Sequence, residues 1–323
     1  MKNRSPHGWV YGVFWQSCTA RLPADKSQTR SSRDIGEMRL TVERTEAGIN
    51  TFGEKMNQVY TQVSIDQRGV ASLTLNRPEV HNAFDDLMIA ELIQVLDQLA
   101  ANPDVRLLLL NANGKNFSAG ADLNWMRSMA EKDYEQNLDD ANELASLMHK
   151  LDKFPKATVA VVQGAAFGGA VGLVACCDIA LASDNASFCL SEVKIGLIPA
   201  VISPYVMRAL SERQSRRYFL TAERFSAATA KELGLLHEVT SAAELAEKAD
   251  GMINSLLQNS PAAISAAKTL IHNIYNRKIS NNVVAHTTQA IAEIRVSEEG
   301  QEGLSAFLEK RRPGWLDNTS QDK

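Results

Sequence analysis

From Val59 onward, hydrophobic and polar positions fall into regular patterns that predict alternating strands and helices. Val59, Thr61, Val63 and Ile65 alternate along a strand, 66–69 is a turn, and Val70 to Leu75 returns as a second strand. Asp85 is placed to cap a helix over Asp86–Ala101, whose Met88, Leu92, Val95 and Leu99 share one face. Asn102-Pro103-Asp104 stops that helix, and a buried strand follows over 105–110. An amphipathic helix spans 136–153 and ends at Pro155.

The next stretch organises the rest. A β-branched strand, 158–162, runs into Gln163-Gly-Ala-Ala-Phe-Gly-Gly-Ala-Val-Gly172 and then a small-residue helix at 173–177. Short buried strands follow at 179–182 and 187–190. The remainder reads as helical: 200–210 with Pro204 early, 211–220, 226–234 with Gly234 as C-cap, then 242–258, 261–277, 283–297 and 301–310, with a short strand at 235–240. The apolar faces of this helical tail exceed what one exposed layer leaves bare, so the tail is expected to pack on a neighbouring subunit.

Composition narrows the class. The 323 residues are 45% hydrophobic and 22% charged, ordinary for a globular protein. A net charge of −4 gives no electrostatic reason to expect a nucleic-acid partner. The helix over Asp86–Ala101 contains no Lys or Arg, so it offers no phosphate grip. No apolar run approaches the ~20 residues that span a bilayer, so no membrane partner is expected. Cys18, Cys176, Cys177 and Cys189 form no C-x-x-C pair. They read as small core residues in a reducing, cytoplasmic setting, with no metal site. Residues 1–55 hold nine basic and six acidic residues without clear periodicity. They read as a disordered leader or a start-site artefact, not as a secretory or mitochondrial signal.

Three stretches carry candidate chemistry. Strand, glycine turn, helix over 158–177 can present bare N–H groups at a helix start, where an anion is stabilised. The same glycines also suit tight packing of helix on strand. Phe117-Ser-Ala-Gly-Ala-Asp122 likewise follows a strand and precedes a polar helical stretch, making it a second place to present N–H groups. No G-x-S-x-G elbow supports Ser118 as a nucleophile, and Asp122 reads as a helix cap. Glu192 sits where a strand ends between apolar segments, which suits proton transfer at a raised pKa. A salt bridge to Lys194 or a capping role is the competing assignment. His81 and His149 are lone histidines, read as surface or packing residues.

Taken together, Phe117-Ser-Ala-Gly-Ala-Asp122, Gly164-Ala-Ala-Phe-Gly-Gly169 and Ser191-Glu-Val-Lys-Ile-Gly-Leu197 resemble the crotonase family of enoyl-CoA hydratases and isomerases. Asn76-Arg77-Pro78 before them and Thr221-Ala-Glu-Arg-Phe-Ser-Ala227 after them extend the likeness to about 58–316. The resemblance implies an α/β fold: a crotonase-like spiral of ββα repeats over 56–255 and a helical trimerisation region over 256–323. It implies an acyl-CoA substrate, a homotrimer or dimer of trimers, and no cofactor beyond the coenzyme A of the substrate. By that likeness the N–H groups of Ala121 and Gly169 bind the thioester oxygen, and Glu192 is the acid/base. Arg77, Val80, Ala119, Asp122, Leu123, Phe307 and Lys310 match the positions that line the coenzyme.

One departure stands out. Typical hydratases of the family carry two glutamates, and the position of the first is Gly172 here. Single-glutamate members include Δ3,Δ2-enoyl-CoA isomerases. Phe117 to Met126 and Cys189 to Pro204 are nonetheless similar to bacterial methylglutaconyl-CoA and carboxygeranoyl-CoA hydratases, which also lack that residue. This narrower likeness implies hydration of a branched, carboxyl-bearing enoyl-CoA of leucine or isovalerate breakdown. Arg127, Lys194, Tyr205 and Arg208 are the open candidates for holding such a carboxylate.

Overall fold

The structure, a computed structural model, describes residues 60–319. The expected leader and Cys18 lie outside the described residues. β1 (Thr61–Ile65) and β2 (Val70–Leu75) form an antiparallel hairpin. Its turn closes at Gly69, with φ of +81°, while the Asp66 side chain accepts from the Arg68 and Val70 N–H groups. α1 (Asp86–Ala101) begins where the Asp85 carboxylate accepts from the Met88 N–H, and it buries the apolar face the periodicity predicts.

β3 (Leu107–Ala112) pairs parallel to β2. After it come α2 (Leu123–Glu131) and α3 (Tyr134–Asp152), the latter entered through a capping box of Asp133 and Gln136. β4 (Ala157–Val162) pairs parallel to β3. Inside the glycine stretch lies a strand that periodicity does not reveal, β5 (Ala165–Phe167), and α4 (Gly169–Cys176) begins four residues earlier than expected. β6 (Ile179–Ser183) and β7 (Ser187–Cys189) follow.

α5 (Ser203–Thr221) is broken at Ser211, whose φ of 70° and ψ of 159° are not helical, so two helical segments meet there as the sequence predicts. β8 (Phe225–Ser226), α6 (Ala227–Leu233) capped by left-handed Gly234, and β9 (Glu238–Thr240) complete this part. Four helices remain: α7 (Leu245–Leu257), α8 (Pro261–Ile274), α9 (Asn281–Val296) and α10 (Glu298–Glu309).

The strands form two sheets, six strands in the order β1-β2-β3-β4-β6-β9 and three in the order β5-β7-β8. All pairings in the larger sheet beyond the hairpin are parallel. Both its faces are covered, which is why its strands read as almost continuous apolar runs. Ala71, Leu73, Leu75, Leu108, Leu110, Ala160 and Val162 join the main core with α1, α3, α4 and α5. The alternate residues Val70, Leu107, Ala157, Val159 and Leu181 pack beneath α7 and α8.

Polar ties hold α8 to the sheet. The Lys268 Nζ lies 2.7 Å from the Asp178 carboxylate, which also accepts from the Thr158 N–H at 2.8 Å. α9 buries no residue, and Val284, Val296, Leu304, Phe307 and Leu308 on α9 and α10 are exposed. The apolar surplus expected of the helical tail is thus present on the chain's surface.

Candidate active site

The site is assembled from three loops that follow β2, β3 and β4. The first, after β2, contains two consecutive non-glycine residues at positive φ, His81 at 55° and Asn82 at 53°. Asn tolerates that backbone, and here its side chain is fully buried and satisfied. Its Oδ1 accepts from the Arg77 N–H at 2.7 Å, and its Nδ2 donates to the carbonyls of Asn113 and Asn116 at 2.9 and 3.0 Å. Asn82 therefore ties the first loop to the second.

The Arg77 guanidinium is the other tie. It lies 2.8 Å from the Asp85 carboxylate and 3.3 Å from Asp122, donates to the Ala83 carbonyl, and stacks 4.7 Å over the Tyr60 ring. The sequence reading placed Arg77 and Asp122 against the coenzyme. Their side chains pair with each other and with the loop frame, the guanidinium held between two carboxylates. Asp122 also caps α2 by accepting from the Asn124 N–H.

The second and third loops pair as a short parallel ribbon. The Ser118 N–H donates to the Ala165 carbonyl at 2.9 Å, and the Phe167 N–H donates to Ser118 at 3.0 Å. The bridge aligns Ser118 with Ala166, so Ala121 and Gly169 each stand three residues beyond the same rung. Gly120 lies so close to the third loop that a β-carbon there would be 3.0 Å from the Phe167 carbonyl oxygen.

Phe84 links the two donors. Its N–H donates to Gly120 and its carbonyl accepts from Asp122, both at 2.7 Å, a parallel bridge that turns the Ala121 N–H away from Phe84. Its ring lies 3.4 Å from where a β-carbon on Gly169 would be. No described residue accepts from the Ala121 N–H, nor from the Gly169 N–H at the first position of α4. Both are bare donors on adjoining turns, and the second carries the partial positive charge of a helix start.

Glu192 opens the 3-10 turn Glu192–Ile195 just after β7. The Cys189 carbonyl at the end of β7 accepts from the Gly168 N–H at 2.8 Å, which draws Glu192 to the third loop. Gly168 adopts φ of 54° and ψ of −123°, and a β-carbon there would lie 3.4 Å from the Glu192 Oε1. The Glu192 Oε2 is buried without a hydrogen-bond partner, and no ion pair to Lys194 forms. Burial pushes the carboxyl above its ordinary range, opposed only by a bond to its own backbone. The competing assignments of salt bridge and cap do not describe this side chain.

Gly172, one helical turn beyond Gly169, faces packed side chains. A β-carbon there would meet the Ile202 Cγ2 at 2.3 Å and the Met148 sulfur at 3.1 Å. No second carboxylate fits at this position.

The other residues singled out in the sequence are placed as follows. The Ala119 N–H donates to the His81 carbonyl at 2.9 Å, holding its loop to the first. Val80 and Leu123 present exposed side chains on the first and second loops. Phe307 and Lys310 stand at the end of α10, Phe307 82% exposed, and the contacts that join the Glu192 group do not reach them. Arg208 is paired with the buried Asp152, so its charge is already engaged, and it stacks on the Tyr205 ring. The Arg127 Nη1 donates to Asn124 at 2.7 Å. Sequence reasoning missed Asn82, Phe84 and Ile202, whose roles come from contacts across distant parts of the chain. Cys176, Cys177 and Cys189 are buried thiols, and burial pushes Cys177 up to about 12. Among the described residues no cluster suited to a metal ion occurs, and no helix is long and apolar enough to cross a membrane.

Two bare amides beside a buried, unpaired carboxylate are the features by which relatives can be judged, and the comparisons agree on one family. Residues 66–318 match the family model described as enoyl-CoA hydratase/isomerase. The chain belongs to the enoyl-CoA hydratase/isomerase family. A crystal structure of an enoyl-CoA hydratase from Shewanella pealeana is 56% identical, with a TM-score of 0.78, over 80% of this chain and 97% of that one. A putative enoyl-CoA hydratase of Thermus thermophilus is 34% identical over 78% of this chain and 99% of its own length. The 2,3-dehydroadipyl-CoA hydratase of Escherichia coli is 31% identical over 76% of this chain and 95% of its own length. The crotonase-like α/β fold with a helical C-terminal region is that of these neighbours.

Proposed function

We propose that this enzyme adds water across the double bond of an α,β-unsaturated acyl-CoA, using Glu192 as its single acid/base. The observation that carries the reading is the unpaired Glu192 oxygen beside two amides that stand at one register of paired loops. In this mechanism the thioester oxygen accepts from the Ala121 and Gly169 N–H groups. Ionised Glu192 takes a proton from water as its oxygen bonds to C3, and the electrons of the double bond move onto the thioester oxygen. The two amides stabilise that charge; removing one such donor typically costs about 10²–10³ in rate. Protonated Glu192 then delivers the proton to C2, giving a 3-hydroxyacyl-CoA.

A branched, carboxyl-bearing acyl group such as 3-methylglutaconyl is our proposed substrate. The likeness of 117–126 and 189–204 to methylglutaconyl-CoA hydratases supports it, as does a relative named for a dicarboxylic enoyl-CoA. Carboxygeranoyl-CoA belongs to the same class. The exposed apolar residues of α9 and α10 support assembly with further copies of this chain, as a trimer or dimer of trimers, in which Phe307 and Lys310 cover the coenzyme of a neighbour. A cytoplasmic location accords with the three buried free thiols.

A second reading is favoured by the filled space at Gly172. With one carboxylate, Glu192 can also move a proton from C2 to C4 of a 3-enoyl-CoA, an isomerisation. Turnover of 3-methylglutaconyl-CoA, crotonyl-CoA and a 3-enoyl-CoA separates the two. Fastest turnover of the carboxyl-bearing 2-enoyl ester is expected, and conversion of the 3-enoyl ester alone would replace hydration by isomerisation.

A further inference from the structure

Trp125 is the one residue that α2 buries, at 8% exposure, and its indole N–H has no partner. The buried side-chain atoms without partners among the described residues are Gln98 Oε1, Asn111 Oδ1, Glu192 Oε2 and Trp125 Nε1. Trp125 supplies the sole donor in that group. Trp315 shows the ordinary outcome, since its indole donates to the Gln258 carbonyl at 3.1 Å. Burying a donor without a partner costs free energy, so an acceptor that reaches this N–H, whether water or a group of the substrate, is stabilising.

Position relates this donor to the site. α2 starts directly after the Ala121-Asp122 turn, so Trp125 is one helical turn beyond the Ala121 amide. Helical side chains tilt toward the helix N-terminus, which leans the indole back toward that turn. Trp125 also belongs to the main hydrophobic core, the large cluster that runs through the sheet, α1, α3, α4 and α5.

We propose that the Trp125 indole N–H recognises a carboxyl oxygen on the acyl group of the substrate, beyond the double bond. This rests on the acyl-CoA reading above and adds the residue that distinguishes a carboxyl-bearing tail from a plain one. Of the charged candidates, Arg208 is paired with the buried Asp152, and Arg127 and Lys194 are exposed, so none of the three is a free donor in a buried wall. A neutral donor in an apolar wall gives orientation without the desolvation cost of a buried cation.

The test compares kcat/KM for 3-methylglutaconyl-CoA and crotonyl-CoA in the wild type, in Trp125→Phe, and with β-(3-benzothienyl)alanine at 125, which keeps the size and removes the donor. The ratio of the two values is expected to fall about 10- to 100-fold in both variants. Esterifying the distal carboxyl of the substrate is expected to shrink that fall. A ratio unchanged by the isosteric replacement overturns the proposal, even if Trp125→Phe folds poorly. Wild-type turnover of crotonyl-CoA alone also overturns it while leaving the acyl-CoA reading intact; turnover of neither ester sinks both.

Discussion

Ile202 occupies the space that any side chain at position 172 would need. A β-carbon on Gly172 would lie 2.3 Å from its Cγ2 and 2.8 Å from its Cβ. The absent second glutamate is therefore not an open vacancy at the site but a packed, apolar wall. Gly172→Ala is expected to destabilise the fold by about 1–3 kcal/mol through overpacking. In a double-mutant cycle, Ile202→Ala should recover part of that loss, with a coupling of about 0.5–2 kcal/mol. Strict additivity in urea unfolding would contradict this packing.

Arg77 bridges Asp85 and Asp122, the caps of α1 and α2, on either side of the loops that frame Ala121. Arg77→Gln leaves both carboxylates without their cation. We expect a stability loss of about 2–4 kcal/mol, and a fall in kcat exceeding any rise in KM, because the amide loses its alignment rather than a ligand contact. Arg77→Lys should restore only part, since an ammonium cannot make the planar fork. A rise in KM for coenzyme A esters with kcat intact would instead mark Arg77 as a coenzyme contact.

Glu192 gives a pH signature in stability as well as rate. Its folded pKa is raised from an ordinary 4.5, so the native state binds this proton more tightly than the unfolded chain. Stability from this group is therefore greatest below the ordinary value and falls as pH rises to the folded pKa. Glu192→Gln removes the effect. The variant should melt about 1–2 °C above the wild type at neutral pH, with the gap closing below the ordinary carboxylate range. A constant gap at all pH values would remove burial of the charged form as its cause.

Much of this fold is legible in the sequence because its signals are local. The hairpin, α1 with its Asp85 cap, and the Gly234 cap follow from alternation, periodicity and capping chemistry over a few residues. β5 is not legible, because Ala165–Phe167 pairs with the distant Ser187–Cys189 and bridges to Ser118, and its glycine-rich surroundings carry no strand pattern. The tail helices are legible in type but shift by up to three residues at their starts, as with α10 at Glu298. At the site, the glycine turns and Glu192 stand out by residue type. The shared register of Ala121 and Gly169, the pairing of Arg77 with Asp85 and Asp122, and the Ile202 plug are tertiary facts with no local trace.

The most direct measurement is turnover of 3-methylglutaconyl-CoA in oxygen-18 water by the wild type and by Glu192→Gln. The account predicts one labelled oxygen at C3 of the 3-hydroxyacyl product and a rate about 10²–10⁴ lower in the variant, with binding of the ester retained. Unlabelled product, or near-normal turnover by Glu192→Gln, would contradict it.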